Sequence, residues 1–171
     1  MADWQLRPAA PADAAALTAH MQALLAEGTL WLPLLAEELP SPEQLGKPIL
    51  EFAQEDNSCW LLAWQGEQLA GTLELKGGRR AANAHIVTLG MNVAQAFRGQ
   101  GLGRHLVREA QRWVAAHPGL SRIELECFAA NTPAVALYTS QGFVIEGHRV
   151  ARYRLRGALH DTLHMSWRVP A

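Results

Sequence analysis

Residues Arg98-Gly99-Gln100-Gly101-Leu102-Gly103 put three glycines and a cation where one periodicity gives way to another. Before them, Ala84 to Val93 is nearly continuous apolar sequence (Ile86, Val87, Leu89, Met91, Val93), the pattern of a central strand. After them, Leu102, Leu106, Ala110, Trp113 and Val114 recur on one helical face, and Arg104, Arg108 and Arg112 on another. A strand must therefore turn into a helix at this point. A helix opening near Gly101 presents unpaired amides and the positive end of its dipole, and glycines let an oxyanion approach without Cβ contact. Arg98 can add a charge-assisted hydrogen bond of about 1.5–3 kcal/mol. The segment reads as a phosphate cradle.

Two common phosphate sites are excluded. The glycines do not follow the Gly-x-Gly-x-x-Gly dinucleotide spacing after a first strand, and no Gly-Lys-Ser or Gly-Lys-Thr occurs.

The remaining sequence alternates between the same two periods. Strands are expected over Trp4 to Arg7, Trp60 to Trp64, Leu69 to Leu75, Ile123 to Phe128, Phe143 to Leu155 and Leu159 to Arg168. Helices are expected from Asp13 to Ala26, Glu43 to Gln54 and, capped by Asn131, through Gln141. The sum is an α/β fold, a mixed sheet with helices on its faces. No repeat or long linker divides the chain, so residues 1–171 read as a single domain.

Fifteen Lys plus Arg against sixteen Asp plus Glu leave a net charge of -1, too little for a general nucleic-acid or anionic-membrane surface. Cys59 and Cys127 lie in apolar runs without metal-ligand spacing, as buried thiols of a reducing, cytoplasmic setting would. The start, Met-Ala-Asp-Trp-Gln, has no leader pattern, and no apolar run is long enough to cross a bilayer. No membrane or nucleic-acid partner is expected, and no metal.

Arg98-Gly99-Gln100-Gly101-Leu102-Gly103 matches the Gln/Arg-x-x-Gly-x-Gly/Ala pattern of the Gcn5-related N-acetyltransferases (GNAT family). A second element follows in order, Asn131-Thr132-Pro133 through Tyr138 to Gly142-Phe143, and it resembles that family's asparagine, helix, tyrosine and Gly-Phe segment. The resemblance runs from about Trp4 to Trp167 and leans toward enzymes that acetylate amino acids and small amines. It implies the GNAT fold, with a mostly antiparallel sheet of six to seven strands. It also implies acetyl-CoA as cofactor, its pyrophosphate on the amides of Arg98, Gly99, Gln100, Gly101, Leu102 and Gly103. Its pantetheine arm would pair with the backbone of Met91, Asn92 and Val93, and Asn131 would contact the amide-containing arm. Tyr138 matches the tyrosine that protonates the departing sulfur.

In such enzymes an uncharged amine attacks the thioester directly. Neutralising a peptide α-amine of pKa near 8 at pH 7 costs about 1.4 kcal/mol, and neutralising an unperturbed lysine about 4.6 kcal/mol. A base is therefore helpful without being obligatory. The candidates are His85 at the entry of the central strand and Glu124 or Glu126 on its neighbour, with His148, His160 and His164 on the closing strands.

The acceptor is expected to be a small-molecule primary amine, best of all an L-amino acid. Leu30, Trp31 and Leu34 would form an apolar wall, and Arg152, Tyr153 or Arg154 would meet a carboxylate. The alternatives are an acetyltransferase of protein or peptide N-termini and an acyl-CoA-binding module without turnover. A homodimer is compatible with sheet edges that need covering.

Overall fold

The computed structural model describes residues 4–28 and 33–170. In chain order the elements are β1 (Gln5–Pro8), α1 (Ala14–Ala26), α2 (Pro42–Gln54), β2 (Cys59–Gln65), β3 (Gln68–Gly77), β4 (Ile86–Val93), α3 (Leu102–Ala116), β5 (Arg122–Phe128), α4 (Thr132–Ser140), β6 (Val144–Leu155) and β7 (Ala158–Arg168). Their ends fall within a few residues of the expected ones. Pro48 does not divide α2: the helix is capped reciprocally by Ser41 and Gln44 and runs on through Pro48 to Gln54.

The strands form one seven-stranded sheet in the order β1-β2-β3-β4-β5-β7-β6. Every neighbouring pair is antiparallel except β4 and β5, which are parallel. This is the mixed α/β sheet that the alternating periods led us to expect, in the mostly antiparallel form that the family resemblance implies.

Each face of the sheet carries its own core. Leu73, Leu75, Val87, Leu89, Ile123, Leu125 and Met165 point to the α3–α4 side, where Leu102, Leu106, Ala110 and Val114 bury the apolar stripe of α3. Each such leucine or valine contributes roughly 1.5–3 kcal/mol. Trp60 and Leu62 point the other way and pack with Leu17 of α1 and Leu45 and Ile49 of α2. Paired residues of neighbouring strands share a face, so Thr72, Glu74, Gly90, Asn92, Glu124, Glu126, Thr162 and His164 all belong to the α1–α2 face.

The registers at β4 position the functional site. On one side β3 pairs with it continuously from Gly77↔Val87 to Gly71↔Val93. On the other side β5 pairs only at Ile86↔Arg122, Val87↔Ile123 and Thr88↔Glu124. Both strands continue, β4 to Val93 and β5 to Phe128, so they splay beyond Thr88. Among the described residues the β5-facing backbone from Leu89 onward has no strand partner, and it is an open edge inside a sheet.

Candidate active site

The loop that leaves this open edge is shaped by glycine. Gly99 and Gly101 hold φ of +73° and +92°, the left-handed region that side chains resist, and Gly101 is the N-cap of α3. No side chain caps that helix among the described residues, so its first amides have no side-chain acceptor. Gly103 answers a different need. A Cβ there would stand 3.1 Å from Leu137 of α4 and 3.7 Å from the end of Met91 on β4. Its absence lets the start of α3, the open edge of β4 and α4 converge.

Arg98 is committed differently from a free phosphate ligand. Its Nε donates to the Val93 carbonyl at 2.9 Å, and its two terminal nitrogens donate to both Glu27 oxygens at 2.6 and 2.9 Å. The guanidinium staples the loop to the end of α1 and to the last residue of β4. What the loop offers to a phosphate from 99 to 103 is therefore mainly backbone. Gln100 also folds back, donating through Nε2 to the Ala96 carbonyl.

Asn131 caps α4, accepting from Ala134 N at 3.2 Å, and its Nδ2 donors are left for another partner. Tyr138, buried on the same helix, packs at 5.6 Å against the Phe143 ring. Burial, with a smaller contribution from the neighbouring Cys127, pushes its phenol further above the ordinary tyrosine value, so it keeps its proton throughout the neutral range. The acid candidate and the open edge thus share one apolar cluster with Met91, Val93 and Cys127.

The base candidates fare less well. His85 precedes β4 at the end where the strands are still paired, in a shallow hollow with Ser121, Arg122 and Arg168. Six residues of extended chain, roughly 20 Å, separate it from Met91. Glu126 faces the α1–α2 side beyond the splay, but it is engaged by Thr162 Oγ1, by Arg149 at 3.0 Å and by Arg152 at 3.2 Å. Burial pushes its carboxyl up, and those three partners more than offset it, leaving the group below the ordinary glutamate value. The arginine picked as a carboxylate clamp, Arg152, is therefore already paired. It also lies over the Tyr153 ring at 5.2 Å, in a bulge where the β6–β7 register slips between Arg149 and Tyr153. Tyr153 stacks at 5.7 Å on Phe128.

Leu30 and Trp31 lie outside the described residues. Leu34 does line a cavity with Leu25, Leu35, Leu39 and Leu155, beside α1. Arg156 braces it from the β6–β7 turn, donating to the Leu25 and Gly28 carbonyls at 3.1 and 2.5 Å.

Three groupings were not visible in the sequence. Buried His20 of α1 hydrogen-bonds the Asn92 side chain, tying that helix to the open strand. Burial lowers its pKa despite the opposing hydrogen bonds to Asn92 and the Leu69 carbonyl, so it is a neutral imidazole. Glu124, Glu146 and His164 converge from three strands, but Arg122 bonds both carboxylates and makes the group an ion-pair network. The third is Glu74 on β3, opposite Gly90.

The matches to known proteins agree with this geometry. Residues 29–143, well over half of the chain, match the family model described as Acetyltransferase (GNAT) family. The chain belongs to that family. A mycothiol acetyltransferase from Corynebacterium glutamicum is 35% identical over 64% of this chain, a match spanning 38% of the relative's own length. An L-amino acid N-acetyltransferase from Escherichia coli is 30% identical over 62% of this chain and 65% of its own length. Among solved structures, a phosphinothricin acetyltransferase from Sinorhizobium meliloti, in complex with AcCoA, superposes with a TM-score of 0.85 at 20% identity, over 98% of this chain and 89% of that one. Among the described residues no helix is long and apolar enough to cross a membrane.

Proposed function

We propose that this protein transfers the acetyl group of acetyl-CoA to the primary amine of a small metabolite, and that the preferred acceptor is an L-amino acid. The observation that carries the reading is the splay of β4 from β5 beyond Thr88 and Glu124, beside the uncapped start of α3. The backbone of Gly99 to Gly103 would hold the pyrophosphate, and the unpaired edge of Met91, Asn92 and Val93 would pair with the pantetheine arm. Asn131 would donate to that arm through Nδ2. Bound there, the cofactor supplies a thioester carbonyl to which the acceptor nitrogen bonds as the carbon–sulfur bond breaks.

The chain's own groups orient and protonate. An amide on the open edge donates to the carbonyl oxygen. Tyr138 approaches from the α3–α4 side and gives its proton to the departing sulfur, a role that its elevated pKa supports.

The amino-acid acceptor is supported by the Escherichia coli relative and by the arginines of β6, whose guanidiniums an incoming carboxylate would share with Glu126. The exposed Val144, Ile145 and Val150 on β6, an edge strand, support self-association as a homodimer through that edge. The acceptor is tested by incubating the protein with acetyl-CoA and a panel of L-amino acids, polyamines and peptides, scoring product mass and thiol release. Acetylated amino acids are expected. Product confined to peptides or polyamines would refute that acceptor, and no product from any amine would refute transfer itself.

A further inference from the structure

The strongest unassigned group in the molecule is a carboxyl on the acceptor side of the open edge. Glu74 stands on β3 in register with Gly90 of β4, and both belong to the α1–α2 face. Gly90 is exposed and has no side chain; a Cβ there would lie 3.8 Å from Glu74 Cβ, ordinary contact for neighbouring strands. The missing side chain leaves a notch in β4 between Glu74 and the next strand gap. That gap is the splay itself, since Gly90 is only two residues beyond Thr88, the last residue of β4 that pairs with β5.

We propose that Glu74 is the proton acceptor for the incoming ammonium, acting from β3 through the notch at Gly90. The inference rests on the acetyl-transfer reading above. An acceptor arriving on the α1–α2 face would meet the open edge of β4 with Glu74 beside it. Tyr138 serves the same edge from the opposite face. Base and acid are separated by the sheet, so neither can neutralise the other.

The state of the carboxyl fits the role. Among the described residues it has no hydrogen bond or ion pair, whereas Glu126, Glu124, Glu146 and Glu55 each have one. Burial raises it from 4.5 to about 7. The ionisable groups of the elements around it are otherwise engaged. Lys76, on β3 itself, is bound by Glu55 at 2.7 Å. Glu51 of α2 is near Lys47 and Arg79, and His20 of α1 is bonded to Asn92. His164 of β7 lies 3.7 Å from Glu124. Thr72, two residues along β3 on the same face, adds a second polar atom awaiting a partner, since its Oγ1 is buried with no hydrogen bond among the described residues. A water or the acceptor itself would satisfy both.

The proton balance is simple. An N–H bond of the ammonium breaks as an O–H bond forms on Glu74, the nitrogen keeps the electron pair, and the carboxyl later returns its proton to solvent. The carboxylate form is required, so the rate must fall as pH drops through the pKa of Glu74.

The test compares wild type with Glu74→Gln and Glu74→Asp. In kcat/KM against pH, wild type should show an acid limb near 7. Glu74→Gln should lose about 100-fold and retain only the limb of the acceptor's own amine, while Glu74→Asp recovers part of the rate. Acetyl-CoA affinity should stay unchanged in both, which separates a lost base from a damaged fold. A donor-free readout follows the ¹³C carboxyl resonance that is missing from Glu74→Gln. It should titrate near neutrality and move when a primary amine is added. An unaltered limb and rate in Glu74→Gln, or a resonance that titrates like an ordinary glutamate and ignores the amine, overturns the proposal. Wild type that transfers acetyl to no amine would sink the proposed function instead, and the resonance would still decide Glu74.

Discussion

The two sides of β4 are built from different material. Toward α3 the site consists of backbone: the unpaired edge beyond Thr88, two left-handed glycines and an uncapped helix start. Toward α1 and α2 it consists of side chains gathered from three strands and a helix: Glu74, Glu124, Glu126, Thr162, His164 and His20. A backbone site accepts one shape of ligand and tolerates little change, because its groups are held by the fold. A side-chain site is retuned by single substitutions. This contrast suits a donor held in one way and an acceptor that differs among the relatives.

The sharpest way to break the comparison is at Tyr138, the proposed proton donor to the departing sulfur. Tyr138→Phe should lower kcat by about 100- to 1000-fold with acetyl-CoA affinity unchanged, measured by steady-state kinetics and calorimetry. An unchanged kcat would return the residue to the core as packing alone.

Gly101→Val comes next. Forcing a β-branched residue into φ +92° costs roughly 1–3 kcal/mol and spoils the cradle, so acetyl-CoA should bind about 10- to 100-fold more weakly in titration calorimetry. Undiminished binding would mean that the phosphates do not use these amides.

Glu27→Gln tests whether Arg98 acts as a staple or as a phosphate ligand. Loss of the two-pronged pair should raise the acetyl-CoA KM about 3- to 10-fold, because the loop loses its anchor on α1. A lower KM would show that Glu27 merely competes for the guanidinium.

The smallest effect is expected at Glu126. With its carboxyl held below the ordinary value by Thr162 and two arginines, Glu126→Gln should change kcat less than about threefold and leave the acid limb of the pH profile in place. Loss of that limb would reinstate Glu126 as the base and displace Glu74.

The fold and the glycine turn into α3 were largely legible because their signals are local. A strand period, a helix period and glycines at fixed offsets act through sterics along a few residues, so Arg98 to Gly103 and Asn131 to Phe143 could be placed in order. The acceptor side was not legible, since its residues meet only through register. Glu74 sits in an ordinary strand run, Leu73-Glu74-Leu75, that reads as a half-buried surface position. Nothing in it reveals that the partner across the ladder is Gly90. His85 illustrates the reverse case: it lies just before the right strand, but at the paired end. Arg152 looked free for a carboxylate because Glu126, its partner, is 26 residues away.

By itself, then, the sequence determined the sheet, its flanking helices and the anion cradle, consequences of short-range periodicity and of glycine's conformational freedom, and two motifs in order pointed to the family. Tertiary structure alone decided where β4 parts from β5, which carboxylates are neutralised, and which one is left unpaired beside the opening. Those outcomes depend on burial and strand register, which set a carboxyl's partners and solvation through contacts distant in the chain.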